Sequence, residues 1–399
     1  MHTFRSLRHR NYRLYFIGQM ISLVGSWMQT TALMWLAYDL THQSKWPAFL
    51  MVAMIGPTLL LGAWSGALAD RCRKHTLIMR TQIGFLCSAS LLTTLVYFQQ
   101  VNIGILFLLM FIHGVIQAID LPTRLAFVPD LVEREDLINT VALNSVQFNV
   151  ARAIGPALAG LLLSTVGPVA CFFFNALSYI AVLIALSMMR DFREQHGHAK
   201  RGGPGGFRVL YQQSRLLLII LLAGIVAICG WPLLSLLPAF AEKVLGRGEK
   251  GYSIMLSSVG IGAILAALTA ATVGTEVRQR RFLLIGLVSV SVALGSLAQM
   301  RELWAAALCC GLFGFGMILF FATGQGIVQL GATDEHRGKV MGVWAMMLSG
   351  GAPLGNLILG PAADEWGVAH VIGAQAILIA LAVVICLARN YVKGLPRPG

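Results

Sequence analysis

Residues 66–74 read Gly-Ala-Leu-Ala-Asp-Arg-Cys-Arg-Lys, and this stretch stands between two long apolar segments. Its four charged residues follow twenty residues, 46–65, that carry no charge. An ion at the centre of a bilayer costs at least ~2.5–3.5 kcal/mol on insertion scales, so charges at this density belong at a membrane surface. The stretch therefore predicts a short loop between two membrane-spanning helices.

The composition supports an integral membrane protein. Of the 399 residues, 57% are hydrophobic and 12% are charged, and the mean hydropathy is +0.74. Soluble domains carry roughly 25% charged residues, so this chain has too little charge to cover a water-facing surface. The 42 glycines suit close helix packing in lipid, where small residues let backbones approach each other.

Apolar segments alternate with polar breaks, and they predict twelve membrane-spanning helices. A helix needs about 20 apolar residues to cross ~30 Å of hydrocarbon, and each segment approaches or exceeds that length. The predicted helices lie near 12–38, 46–69, 76–98, 103–127, 138–164, 168–189, 216–240, 251–273, 282–300, 303–328, 338–361 and 368–388.

The net charge of +13 is spread over the short loops between these segments. Placing the N-terminus in the cytoplasm puts 24 of the 30 Lys and Arg residues inside and five outside, with Arg152 left within a helix. The positive-inside rule then places both termini in the cytoplasm. Because the basic residues are dispersed, we expect the lipid bilayer and no nucleic acid as a partner.

Two halves and a linker form the predicted domain organisation. Residues 190–215 are the only long hydrophilic stretch, and we interpret them as a cytoplasmic linker between helix bundles 1–189 and 216–399. At an offset of 200, three glycines and one glutamate of the first half recur in the second: Gly155, Gly160, Gly167 and Glu135 match Gly355, Gly360, Gly367 and Glu335. The basic loop recurs at an offset of 207, where Val277 replaces Asp70.

The 66–74 stretch resembles the glycine-x-x-x-aspartate-arginine-x-x-arginine-basic loop between helices 2 and 3 of the major facilitator superfamily. Further segments resemble its bacterial branch of enterobactin exporters and macrolide efflux pumps, including 4–12, 120–124, 128–132, 142–145, 149–152 and 337–341. The loop residues that match the superfamily pattern are Gly66, Asp70, Arg71, Arg73 and Lys74.

The resemblance implies an all-helical fold with two six-helix bundles related by a pseudo-two-fold axis. It implies a monomeric exporter of the bacterial inner membrane that moves an amphipathic small molecule (a siderophore, an antibiotic or another drug) by alternating access, with the proton as coupling ion. It also implies that the 66–74 loop acts as a gate, in which Asp70 interacts with the start of helix 11. One departure is Met110, which stands where many proton antiporters of the superfamily carry an arginine.

Ionisable residues inside predicted spans are candidates for the transport pathway, because their cost in the membrane usually signals function. On helix 4, spacings of four, three and four place four polar residues on one face, and helix 5 carries a second polar stripe. These candidate pathway residues are His113, Gln117, Asp120, Arg124, Asn149 and Arg152. Alternatives remain open: Asp120 either couples protons or locks the helix end by pairing with Arg124 or Arg152, and Arg152 either serves the pathway or bridges helices.

Gly155, Pro156 and Gly160 combine a helix break with small residues, which predicts either a pliant interface between gating helices or ordinary close packing. Aromatic residues and several methionines are candidates for the lining of an apolar cavity, although we expect most of them to face lipid or the core; the aromatic candidates are Trp27, Trp35, Phe111, Trp231, Phe315, Phe320, Phe321 and Trp344.

The sequence lacks the motifs of several catalytic and cofactor-binding classes. The chain has no GxxxxGK[ST] phosphate loop, no HExxH motif and no metal-ligand spacing of Cys or His, so we expect no cofactor, no metal and no enzyme activity. Two other functions remain open besides export, namely translocation of a lipid or lysophospholipid by the same fold and a non-transporting membrane scaffold or sensor.

Overall fold

A computed structural model describes residues 5–190, 214–271, 276–332 and 337–388. Within these ranges the side chains of some helical residues fall outside the description, among them those at positions 66, 69–71, 134, 145, 149 and 337–339. Most of the predicted 190–215 linker also lies outside the described residues, as does Glu335.

Across those ranges the regular structure is entirely helical. The described part contains thirteen α-helices: α1 (Arg10–Thr41), α2 (Lys45–Arg71), α3 (Lys74–Tyr97), α4 (Ile103–Phe127), α5 (Leu137–Thr165), α6 (Pro168–Ser187), α7 (Ser214–Gly230), α8 (Leu233–Lys243), α9 (Gly248–Ala271), α10 (Glu276–Leu297), α11 (Leu303–Gly331), α12 (Arg337–Trp366) and α13 (Val368–Ala388). Short 3-10 turns occupy Arg5–Arg8, Val128–Leu131 and Arg134–Asp136.

The predicted span 216–240 is confirmed as an apolar segment, but it consists of two helices separated at Trp231 and Pro232. Proline has no N–H to donate to the carbonyl of Ile228, and its ring restricts the conformation of the residue before it. A second helix therefore starts at Leu233, and the two pieces together form one apolar stretch, Leu216–Lys243. The sequence Gly230-Trp231-Pro232 is typical of such a helix break.

Ten segments of the described chain are long and apolar enough to cross a membrane, with α7 and α8 together forming one of them. Helices α1 and α3 fall outside that set. They are 32 and 24 residues long, or about 48 and 36 Å at ~1.5 Å per residue, which exceeds the hydrocarbon thickness. Four polar residues of α1 are buried inside the protein: Gln19, Ser22, Gln29 and Thr31.

The chain forms two compact units. Unit one comprises Met1–His42 with Phe49–Lys200, and unit two comprises Gln43–Ala48 with Arg201–Gly399. The connection between α1 and α2 and the first turn of α2 therefore pack with the second half, although they lie in the first half of the sequence.

The same helix pairings occur in each unit. In unit one α5 packs on α1, and α3 packs on both α4 and α6; in unit two α12 packs on α7, and α10 packs on both α11 and α13. The turns before α6 and α13 each use a glycine with positive φ, +92° at Gly167 and +86° at Gly367. Residues other than glycine rarely adopt this backbone conformation, so the offset of 200 in the sequence reflects a real structural repeat.

Candidate functional site

A carboxylate is completely buried on α4. Asp120 has 0% exposure, and its Oδ1 accepts hydrogen bonds from Thr81 Oγ1 at 2.7 Å and Gln82 Nε2 at 3.0 Å, both on α3. Its Oδ2 lies 2.6 Å from Nε of Arg124, one helical turn further along α4. A buried charge is tolerated only when it is paired and hydrogen-bonded, and this carboxylate meets both conditions.

Two tyrosines complete the surroundings of this ion pair. Tyr15 on α1 and Tyr179 on α6 are both nearly fully buried, at 5% and 3% exposure. Asp120 and Arg124 act electrostatically on both hydroxyls. The polar cluster therefore joins α1, α3, α4 and α6 at one point inside unit one.

The predicted face of α4 continues towards the start of the helix with Gln117 and His113, which are both half-buried. The described contacts of His113 are aromatic: its ring centroid lies 4.7 Å from that of Phe85. Phe85 in turn stacks on Tyr179 at 5.4 Å and 16°. An aromatic column thus connects His113 with the tyrosine beside the Asp120 ion pair.

On α5, Arg152 is buried at 4% exposure. Of the two partners considered for Asp120, the structure places Arg124 and not Arg152 in its ion pair. The side chain of Asn149 lies outside the described residues.

The gate motif is described only in part, because the side chains at positions 66, 70 and 71 lie outside the description. Arg73 is exposed. Lys74 is buried: its Nζ forms an ion pair with Asp130 at 2.7 Å and donates to the carbonyl of Ala126 at 3.1 Å. This residue fastens the start of α3 to the end of α4, a contact that the loop pattern did not predict.

A second polar cluster holds the N-terminal segment against the start of α5. The buried carboxylate of Asp136 lies 2.9 Å from Arg5 Nε and 2.8 Å from His9 Nε2. Ser6 donates from its hydroxyl to Asn139 Oδ1 at 2.8 Å. Sequence periodicity did not identify this cluster, because its members are about 130 residues apart in the chain.

Close helix contacts explain the Gly155 motif. A methyl group added at Gly155 would lie 2.5 Å from Trp27 Cβ and 3.0 Å from the carbonyl oxygen of Val24, so α5 approaches α1 through a site that only glycine fits. Pro156 is buried beside it, and Gly160 is half-buried one turn further along. In unit two a methyl group at Gly355 would lie 2.0 Å from the carbonyl oxygen of Ile228.

Unit two contains a cluster of three aromatic rings. Trp231 stacks on Phe321 with ring centroids 6.0 Å apart and planes at 13°. Trp344 meets Phe321 edge-on at 6.3 Å and 77°.

The connection between α1 and α2 is held by Asp364 of α12, within unit two. Oδ1 of Asp364 accepts from the backbone N–H of Ser44 at 2.5 Å, and Oδ2 accepts from that of Lys45 at 3.0 Å. N–H groups at the start of a helix have no partner within the helix, and the helix dipole also favours a carboxylate there. Next to this contact, a methyl group at Gly360 would lie 2.6 Å from Ala48 Cβ.

Among the described residues, no group of three or more His, Cys, Asp or Glu side chains is placed to hold a metal ion. The large apolar side chains that point outward, such as Leu60 at 82% and Leu125 at 68% exposure, suit contact with lipid.

Two helical units with a shared pattern of pairings, apolar outer surfaces and buried ion pairs define a transporter of the major facilitator class. Solved structures support this fold. The chain is similar to the nucleoside transporter NupG, with a TM-score of 0.72 at 15% identity over 98% of this chain and 100% of that one. It is also similar to a bacterial homolog of the human lysosomal transporter Spinster, with a TM-score of 0.76 at 15% identity over 98% of this chain and 99% of that one.

The chain belongs to the family described as "Transmembrane secretion effector", which it matches over residues 1–394. It is 25% identical to the staphyloferrin A transporter of Staphylococcus aureus over 371 residues, 92% of each chain. It is 21% identical to macrolide efflux protein A of Streptococcus pyogenes over 404 residues, 97% of this chain and 99% of that protein. Identity to enterobactin exporter EntS of Escherichia coli is 25% over 363 residues, 88% of this chain and 85% of that protein. These relatives are transporters and not enzymes.

Proposed function

We propose that this protein exports an amphipathic small molecule from the cytoplasm by alternating access, in exchange for protons. The curated relatives support this substrate class, because their names refer to siderophores and a macrolide. The bacterial inner membrane is the proposed location, with both termini in the cytoplasm and one chain as the working unit.

The Asp120–Arg124 ion pair carries the proposal for proton coupling. A carboxylate with 0% exposure inside a transmembrane unit is costly, and such residues usually have a function. This carboxylate lies 2.6 Å from Nε of an arginine. Protonation of Asp120 would neutralise the carboxylate and remove the attraction that holds Arg124. Proton binding and the pairing of Arg124 are therefore alternatives, which is the linkage that a proton antiporter needs.

The intact ion pair gives the proton a consequence for the cargo. Asp120 engages Arg124 through Nε, so the N–H donors on the two Nη atoms can bind a carboxylate or other oxygen group of a substrate. Protonation of Asp120 would release Arg124 from this position and dismantle the set of donors. Proton binding and cargo binding would then exclude each other, as exchange of cargo for protons requires.

The 66–74 motif is the proposed cytoplasmic gate. We expect Asp70→Asn to lower the transport rate while leaving substrate affinity largely intact, because a gate biases a two-state equilibrium without touching the cargo. Lys74 belongs to the fixed part of this gate, since Asp130 and Ala126 anchor it to α4.

Export is tested by expression in a bacterium that lacks its own efflux pumps. Resistance and intracellular accumulation are measured for a panel of macrolides, other antibiotics and siderophores, with wild type compared with Asp120→Asn and Asp70→Asn. Asp39→Asn is the matched control, because Asp39 is exposed near the end of α1. We expect lower accumulation of at least one compound with wild type and with the control, and loss of that effect in the two test variants.

Two outcomes would contradict the proposal. Lack of flux for every compound, at verified expression, would favour a membrane scaffold or sensor. Movement of fluorescent lysophospholipid without movement of drugs or siderophores would favour lipid translocation.

A further inference from the structure

The aromatic cluster of unit two lies at a helix break inside the membrane. Trp231 occupies the junction between α7 and α8, near the middle of the apolar stretch Leu216–Lys243. Discontinuous transmembrane helices commonly form substrate sites in transporters, since the interrupted backbone is tolerated where it lines a cavity. Trp231 is partly exposed, unlike the other two rings of the cluster.

Helix α12 supports this break from one side. Gly351 and Gly355 let α12 approach the end of α7, where added methyl groups would lie 2.4 Å from Ala227 Cβ and 2.0 Å from the carbonyl oxygen of Ile228. The adjacent Asn356 accepts a hydrogen bond from the hydroxyl of Ser235 on α8. Trp344 precedes Gly351 by seven residues, so it lies on the same face of α12.

Trp344 carries a polar group without a partner. The side chain is 2% exposed, and its indole Nε1–H, which can only donate, has no hydrogen-bond partner among the described residues. Buried tryptophan N–H groups usually find an acceptor, and a buried donor without one is destabilising. A phenylalanine would fill an apolar core at this position without that penalty.

We infer that Trp231, Phe321 and Trp344 form a subsite for a planar aromatic group of the cargo that bears an oxygen acceptor, such as a phenol, a catechol or an aryl amide. The stacked rings supply flat apolar surface, and the Trp344 N–H donates to the oxygen atom. This inference deepens the proposed export function and rests on it. It assigns recognition of the aromatic group to unit two and proton coupling to unit one.

Binding to the purified full chain in lipid nanodiscs tests the subsite. The probe is N-(4-hydroxybenzoyl)serine, and the matched probe is N-(trans-4-hydroxycyclohexanecarbonyl)serine, which keeps the hydroxyl and the amide and lacks only the aromatic ring. We expect isothermal titration calorimetry to show binding of the aromatic probe and at least roughly tenfold weaker binding of the saturated one. Trp344→Phe should weaken binding of the aromatic probe roughly five- to tenfold, the usual effect of losing one hydrogen bond in a low-dielectric site.

Trp304→Phe is the control variant, because Trp304 is 68% exposed at the start of α11, and it should bind like wild type. Phe321→Leu should weaken the aromatic probe and leave the saturated one unchanged. The thermal midpoint separates binding from folding: Trp344→Phe should unfold at the same temperature as wild type or higher, since it removes an unpaired donor.

The inference is overturned if the two probes bind equally, if wild type binds neither, or if Trp344→Phe binds the aromatic probe as wild type does. If wild type and Trp344→Phe export the same compounds equally well, the subsite is overturned and the export function stands. Aromatic-selective binding without export of any compound would overturn the export function and leave the subsite standing.

Discussion

At the scale of single residues, the physics of this protein centres on how a buried charge is stabilised. Asp120 receives two hydrogen bonds from α3 and an ion pair from its own helix, so three separate groups define its position. Removing one partner of a buried ion pair leaves the other charge uncompensated in a low dielectric, which costs more than the pair itself contributes.

The residue-scale prediction concerns Asp120→Asn. The asparagine oxygen can still accept from Thr81 and Gln82, but Arg124 loses its counter-ion. We expect a loss of about 3 kcal/mol in stability, read as a lower unfolding temperature of the purified protein. Asp120→Asn with Arg124→Gln should recover most of that stability without recovering transport. Equal unfolding temperatures for Asp120→Asn and wild type would show that the ion pair contributes nothing.

At the scale of elements, two pairs of helices approach each other closely through glycine. Gly155 joins α5 to α1, and Gly355 joins α12 to α7, at equivalent places in the two units. Backbones that approach this closely gain dispersion and weak Cα–H···O contacts, which are the main sources of helix association in lipid.

Glycine contacts of this kind predict a position-dependent effect of adding one methyl group. Gly355→Ala places a methyl 2.0 Å from the Ile228 oxygen, so the helices must separate, at a cost of ~1–3 kcal/mol. Gly350→Ala is the control on the same helix, because nothing lies within 4 Å of a methyl there. It should be neutral or slightly stabilising, by up to ~1 kcal/mol from helix propensity. Indistinguishable thermal midpoints for the two variants would contradict the packing argument.

The Asp364 contact makes a second prediction at this scale. Its two hydrogen bonds hold the start of α2, where Ser44 is completely buried. With the native cysteines replaced by serine, we expect a membrane-impermeant maleimide to label Ser44→Cys slowly from outside. Adding Asp364→Ala should accelerate labelling roughly tenfold, the effect of losing about 1.4 kcal/mol from the contact that covers Ser44. Glu365→Ala, at an exposed neighbouring position, should leave the labelling rate unchanged; equal rates in both variants would show that Asp364 does not hold this segment.

At the scale of the whole molecule, the polar and apolar recognition elements lie in different units. The described Asp120 ion pair and its tyrosines belong to unit one, and the aromatic cluster belongs to unit two. In the proposal, competition at Arg124 links proton binding to cargo binding within unit one, and the aromatic cluster of unit two adds selectivity for the cargo.

Proton coupling therefore makes a prediction for the reconstituted protein. In proteoliposomes loaded with a compound from the export screen, an imposed gradient of one pH unit supplies about 1.4 kcal/mol per proton. For one-to-one exchange this raises the accumulation ratio up to ~10-fold. Asp120→Asn should show flux that ignores the gradient, whereas Asp39→Asn should respond as wild type does. Flux by wild type that is insensitive to the gradient would rule out proton antiport.

The sequence by itself determined the membrane class, the approximate helices and the family. These properties follow from apolar length, the distribution of charge and one short motif, all of which are local along the chain. The sequence also revealed the repeat through glycines that recur at an offset of 200, and the positive φ of Gly167 and Gly367 explains why glycine stands at both of those positions. The break in segment 216–240 was not predicted, although Pro232 lacks the N–H that a continuous helix needs there.

Only the tertiary structure decided which side chains form ion pairs and hydrogen bonds with each other. Choosing Arg124 instead of Arg152 for Asp120 depends on which helix faces which, and the same holds for Thr81 and Gln82, which lie 39 and 38 residues away in sequence. The Lys74–Asp130 pair and the Asp364 contact with Ser44 join positions 56 and 320 residues apart. Hydropathy and periodicity report how each helix relates to lipid and water, but the side chains that meet inside the protein are selected by helix packing.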